Sequence, residues 1–126
     1  MRLRTPIPIL PALLALAACE RGGTGSDAGG EYLAVLESPN GAEGAAAIEL
    51  TGPGIESVTS TSGQLFATSS GNTTRVVLVR QTAGDIEFKV TMARGQQPPA
   101  ARVVEVADGS DQPRASVSGY RVTFDR

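Results

Sequence analysis

The chain of 126 residues is 40% hydrophobic, 19% charged and only 4% aromatic, with no His, no Trp and one Cys. This length suits one domain. The formal net charge of −2 gives no basic surface for nucleic acid. The missing His removes the commonest general base and the commonest metal ligand. The composition therefore argues against nucleic-acid binding and against most hydrolytic chemistry.

The first eighteen residues are expected to be a signal peptide. Arg2 and Arg4 form a short basic region, and the twelve residues 7–18 carry no charge. A helix of that length would span roughly 18 Å, which is shorter than the ~30 Å hydrocarbon core of a bilayer. A secretion signal is therefore favoured over a transmembrane helix.

The letters LAAC at positions 16–19 resemble the lipobox of bacterial lipoproteins. The resemblance implies that peptide 1–18 is removed, that Cys19 carries diacylglycerol and that the new amino terminus is acylated. It also implies a lipid anchor in the bacterial cell envelope, and Glu20 favours the outer membrane or cell surface over inner-membrane retention. Ordinary secretion is the alternative, because residues 15–17 also fit an A-x-A cleavage site.

Residues 20–30, ERGGTGSDAGG, contain five Gly and no apolar side chain larger than Ala. Such a stretch cannot bury enough surface to offset its ordering entropy, so it is typical of a flexible tether. The expected organisation is therefore a signal peptide at 1–18, a lipidated Cys19 with its tether at 19–30, and a folded domain at 31–126.

The domain at 31–126 is predicted to be all-β. Gly, Pro, Asn and Asp recur at turns about every 8–14 residues, a spacing that suits the short strands of a two-sheet sandwich. The clearest alternation places Ile86, Phe88, Val90 and Met92 on one face. Eight or nine strands are expected, among them the segments 32–37, 46–50, 55–60, 64–68, 75–80, 86–92, 102–106 and 120–125.

Two segments lead to specific expectations. Residues 75–80, RVVLVR, are apolar on both faces, which predicts a central strand covered on both sides. The Ala-rich segment 44–50 could form a helical turn, but it is too short for a stable helix, so we expect a strand. Inward-facing aromatic and apolar side chains are expected at positions 32, 88, 120, 122 and 124, whereas Phe66 is out of step with its neighbours and is expected to be exposed.

The chain contains, in order, an opening LAVL strand, a second Ala/Ile/Leu strand, a Gly-Pro-Gly-Ile-x-x-Val step, the RVVLVR segment, and a Gly-x-Ile-x-Phe-x-Val strand with a matching closing strand. This order of segments resembles a cohesin-like domain. It implies the jelly-roll sandwich shared by cohesins and several carbohydrate-binding modules. These segments lie at 33–36, 46–50, 52–58, 75–80, 84–90 and 120–124.

No catalytic, cofactor-binding or metal-binding residue is expected. Without His, and with Cys19 lipidated, the chain lacks the nucleophile and base of hydrolytic triads. Lys89 lies on the polar face of a predicted strand. No spacing pairs two strand carboxylates among positions 49, 87 and 105 for glycoside hydrolysis. The loop Asp-Gly-Ser-Asp at 108–111 lacks the further ligands of an EF-hand and is explained as a turn.

Two functional classes remain. The first is a lipid-anchored envelope module that binds a protein or peptide, and the second is a structural envelope lipoprotein without an independent ligand. A carbohydrate-binding module is a further alternative, although binding to a flat polysaccharide is disfavoured, because Phe66 by itself makes no stacking platform. Arginines scattered from 75 to 126 fit a mixed solvated surface, although Arg is also enriched at interfaces. The expected partners are the membrane, through Cys19, and an unidentified protein or glycan. An open apolar patch or an unprotected edge strand would favour the binding module.

Overall fold

The computed structural model describes residues 29–126, so the expected signal peptide at 1–18, the expected lipidation site Cys19 and residues 20–28 of the expected tether lie outside the described residues. Nothing helical within 29–126 has the length and apolarity that a membrane crossing requires. The described residues form eight strands: β1 (Gly30–Glu37), β2 (Glu43–Thr51), β3 (Ile55–Ser60), β4 (Gln64–Ser70), β5 (Thr73–Gly84), β6 (Glu87–Met92), β7 (Ala100–Ala107) and β8 (Arg121–Asp125).

The strands form a two-sheet β-sandwich. Sheet A has the order β3-β6-β1-β8, and sheet B has the order β4-β5-β2-β7. All pairings are antiparallel, and they include the nested pairs β1·β8, β2·β7, β3·β6 and β4·β5. This nesting is the strand arrangement of a jelly roll, so the all-β prediction is confirmed, and the segment 44–50 is a strand.

The core lies between the two sheets and follows the period-two alternation. Phe88 and Val90 of β6 are fully buried against Ile48 of β2 and Leu78 of β5 in one apolar cluster. Tyr32 and Tyr120 are also buried, as expected. Val122 and Phe124 are only half-buried. Both pack against the core as expected, but they are not completely buried, because β8 is an edge strand with one neighbour.

The expectation that residues 75–80 are covered on both faces was wrong. They lie in β5, which is an inner strand of sheet B. Val76 and Leu78 face the core, but Val77 is half-buried and Val79 is 40% exposed. The described chain has only two layers, so the outer face of each sheet meets solvent. The apolar side chains on that side of β5 are therefore uncovered.

The topology gives the sandwich two different ends. Gly29 and Arg126 lie at one end, here the near end, with the connections 52–54, 71–72 and 93–99. The connections 38–42, 61–63, 85–86 and 108–120 lie at the opposite end, here the far end. The eight residues of β1 separate the two ends by roughly 26 Å at about 3.3 Å per residue.

Candidate binding surface

Three of the four edge strands carry features that discourage pairing with another chain. β3 contains Glu56 and a register irregularity between Ile55 and Ser57. β7 contains two charged residues and lies beside a register irregularity in its pairing with β2. β8 is only five residues long and has a charge at each end. Charges, bulges and shortness are the usual means of protecting an edge.

The fourth edge strand, β4, has none of these features. Its sequence, QLFATSS, contains no charged residue and no Pro, and its register with β5 is continuous over seven residues. Six of these seven residues are exposed. An edge strand directs unpaired backbone N–H and C=O groups outward. Within the described residues, β4 is therefore the edge best suited to accept another extended chain.

Beside β4, the outer face of sheet B carries an apolar area. Phe66 of β4 is 58% exposed and lies opposite Val77 of β5, which lies opposite Ala47 of β2. In the next cross-strand row Val79 lies opposite Ala45. These five residues, here called the outer patch, form one continuous surface beside the free edge. The exposure of Phe66 agrees with the sequence expectation, whereas that of Val79 was not foreseen.

A charged row borders the outer patch towards the near end. Glu49 of β2 accepts hydrogen bonds from Arg102 at 2.8 Å and from Arg75 at 3.3 Å. The bonds from Arg102 and then Arg75 lower the pKa of Glu49, and burial opposes them only in part. Two guanidinium groups share one carboxylate, so this row keeps an excess positive charge. Solvent screens such surface pairs, and each contributes little to stability.

A half-open cleft of about 480 Å³ borders the patch towards the far end. It exists because β5 is longer than β4: Gln64 begins β4 opposite Val79, and β5 continues to Gly84. The cleft is lined by Gly63, Gln64, Val79, Arg80, Gln81 and Thr82. Free edge, outer patch and cleft are therefore contiguous, and together they form the candidate binding surface.

The loops at the far end are tied together by a buried carboxylate. Glu43 is 1% exposed. Its Oε2 accepts hydrogen bonds of 2.5 Å from Ser38 Oγ and 2.5 Å from the Tyr120 hydroxyl. Its Oε1 accepts from Arg114 Nε at 3.0 Å and Nη2 at 2.9 Å. Asn40 donates in turn to the Tyr120 hydroxyl at 2.8 Å.

The pKa of Glu43 reflects two opposed effects. Burial raises it, but the hydrogen bonds from Ser38, Tyr120 and Arg114, with the positive charge of Arg114, outweigh burial and hold the pKa below its ordinary value. The carboxylate is therefore ionised at neutral pH and fully paired, which is the condition for a stable buried charge. The cluster joins Ser38, Tyr120 and Arg114 to the start of β2.

The sequence analysis did not identify Glu43 as a buried, hydrogen-bonded residue. The alternation of Ala46, Ile48 and Leu50 assigns position 43 to the solvent side of β2. The register between β2 and β5 shifts between Glu43 and Ala45, and this irregularity leaves both Glu43 and Gly44 buried. A bulge of this kind has no clear signature in a single sequence.

Two of the features weighed for chemistry, Lys89 and the loop 108–111, have defined contacts in the structure. Lys89 pairs with Glu31 at 3.6 Å on the surface of sheet A. In the loop 108–111, Asp108 Oδ1 accepts the backbone N–H groups of Ser110 and Gln112, and these two bonds lower the pKa of Asp108. Within residues 29–126 no three His, Cys, Asp or Glu side chains are grouped to hold a metal ion.

No protein-family model, curated protein or solved structure matches the chain.

Proposed function

We propose that this protein is a lipid-anchored cell-envelope module, cohesin-like in its strand order, that binds an extended segment of a partner protein by adding it to β4. The observation that carries the proposal is the contrast between β4 and the other edge strands. β4 is uncharged, seven residues long and in continuous register with its neighbour. Unpaired backbone groups recognise an extended chain whatever its sequence, and neighbouring side chains then select among chains.

The outer patch supplies that selectivity. Phe66 projects from β4 itself, and Val77 and Val79 lie on the adjacent strand of the same face. A strand added to β4 would place every second side chain on this face, beside Phe66. We therefore expect the partner segment to carry apolar side chains at alternate positions. A structural lipoprotein without a ligand would have no need of this uncovered surface.

The expected anchor and the cleft lie towards opposite ends of the domain. Gly29 enters the fold at the near end, and its backbone passes so close to Ala93 that an added Cβ would lie 2.6 Å from the carbonyl oxygen. A lipid on Cys19 would thus attach the domain through its near end, which is the end opposite the cleft. An intact-mass measurement tests the anchor: a mature chain that begins at a lipidated Cys19 is expected, and an unmodified Cys19 would refute it.

Site-specific photocross-linking tests the binding surface. A benzoylphenylalanine at Phe66 is expected to capture a partner protein in the native envelope, with the cross-link in an extended segment of that partner. The same probe at Thr59, which is exposed on the edge strand β3, is the matched control. Equal capture from both positions, or capture from neither, would contradict strand addition at β4.

A further inference from the structure

The cleft contains a fixed positive charge that no described carboxylate neutralises. Arg80 Nε donates to the carbonyl oxygen of Thr82 at 3.0 Å. Its Nη1 donates to Ser62 Oγ at 2.6 Å and to the carbonyl oxygen of Asp85 at 2.9 Å. All three acceptors are neutral, and no ion pair joins Arg80 to an Asp or Glu within residues 29–126. The guanidinium is therefore held in place with its charge available to a ligand.

The free nitrogen of this guanidinium is Nη2, which makes none of these three bonds. It lies beside Gly84, where an added Cβ would come within 2.7 Å of Nη2. Glycine at this position thus leaves room for the guanidinium to lie over the end of β5. Because Ser62 belongs to the connection 61–63, Arg80 also fixes the loop that leads into β4. The position of the Arg80 guanidinium relative to the free edge of β4 is consequently fixed.

The direction of β4 determines which end of an added strand reaches the cleft. β4 begins at Gln64, beside the cleft, and ends at Ser70, at the near end. A strand that pairs with it in the antiparallel sense runs the opposite way, so its carboxyl end arrives at Gln64. Antiparallel pairing is slightly more stable per residue than parallel pairing, and both sheets of this domain are antiparallel throughout.

We propose that the bound segment is the extended carboxyl-terminal end of a protein, antiparallel to β4, with its terminal carboxylate held by Arg80 in the cleft. The inference rests on the strand addition proposed above and adds the chemistry of the chain end. An Arg guanidinium forms short, charge-assisted hydrogen bonds to carboxylates. The neutral side chains of Gln64, Gln81 and Thr82 line the same space, so they provide further polar groups without a competing negative charge.

Fluorescence anisotropy with the purified full chain tests the inference. The probes are labelled heptapeptides in which Val or Phe alternates with Thr, each made as the free acid and as the carboxyl-terminal amide. The free acid is expected to bind about ten- to a hundredfold more tightly than its amide, the range for a hydrogen bond to a charged group. In Arg80→Gln the two forms are expected to bind equally.

Two controls separate this inference from a loss of folding. Arg102→Gln removes a positive charge from β7, which is the edge strand of sheet B opposite β4. This variant is expected to keep the preference for the free acid. The acid-to-amide ratio within each variant is insensitive to any uniform loss of folded protein. A third peptide form, an amide ending in Glu, tests whether a side-chain carboxylate suffices; if it binds as tightly as the free acid, assignment to a chain terminus is wrong.

The outcomes for the two proposals differ. Acid and amide binding equally to the unmodified chain, with binding abolished by Phe66→Lys, would overturn the carboxylate site and leave strand addition standing. A preference for the free acid that persists in Arg80→Gln would also overturn the assignment to Arg80. Binding by none of the peptides would overturn strand addition, and this inference with it.

Discussion

Tyr120 donates a hydrogen bond of 2.5 Å to Oε2 of Glu43, although 77 residues separate the two in the chain. The bond joins the connection 108–120 to the start of β2, and Ser38 attaches the connection 38–42 to the same carboxylate. One buried Glu therefore fixes two loops of the far end. Arg80 fixes the other two connections of the far end, 61–63 through Ser62 and 85–86 through the carbonyl of Asp85.

Removing the Tyr120 hydroxyl is expected to destabilise the domain. Tyr120→Phe leaves a buried carboxylate with one donor fewer and Asn40 without its acceptor, so we expect a loss of about 1.5–3 kcal/mol in the free energy of unfolding. Urea denaturation measures this loss. Tyr32→Phe is the matched control: its hydroxyl accepts one bond from the exposed Arg126, and a smaller effect is expected. Equal effects would contradict the role of the Glu43 cluster.

Stability is expected to fall in acid partly through Glu43. Its pKa in the folded state is below the ordinary value of 4.5, so the unfolded state binds more protons in that range. The stabilisation is complete above the ordinary pKa and is lost as pH falls through the lowered folded pKa. Denaturation at a series of pH values should show a shallower acid loss for Glu43→Gln than for the unmodified chain. Part of the pH dependence of stability should remain in this variant, because the pKa values of Glu49 and Asp108 are also lowered.

Truncation of two Phe residues is expected to change the stability of the domain by very different amounts. Phe88 is fully buried between the sheets, so Phe88→Ala should destabilise the domain by about 3–5 kcal/mol. Phe66 is 58% exposed, and Phe66→Ala should change stability by about 0.5 kcal/mol or less while weakening partner binding. Thermal unfolding of the two variants decides the matter. A large loss of stability in Phe66→Ala would show that the outer patch belongs to the core.

The strands could be predicted from the sequence because their signal is local. The alternation from Ile86 to Met92 and the turn residues between segments are visible without knowledge of pairing, and β3 has the predicted bounds of 55–60. The arrangement of the strands is a different matter. Whether β5 has a layer on its outer face, or β8 a second neighbour, depends on contacts between distant segments. The exposure of Val79 and the incomplete burial of Phe124 were not predicted for that reason.

The candidate binding surface was foreseen only in part. The exposure of Phe66 follows from its neighbours, but nothing in the letters QLFATSS distinguishes an edge strand from a central one. Arg80 reads as one of several scattered arginines, and only the pairing of β4 with β5 shows that it lines a cleft. Edge position and strand-length mismatch are properties of the whole topology, which a single sequence does not reveal.

Hydrogen–deuterium exchange of the backbone amides tests strand addition most directly. The purified full chain and the same chain in its native envelope are compared residue by residue across the edge strands. The amides of β4 that face away from β5 are expected to exchange rapidly in the purified chain and to become protected in the envelope, because an added strand would bond them. The amides of β3 and β8 should be unchanged. Protection confined to β3 or β8, or no protection of β4 in the envelope, would contradict the proposed function.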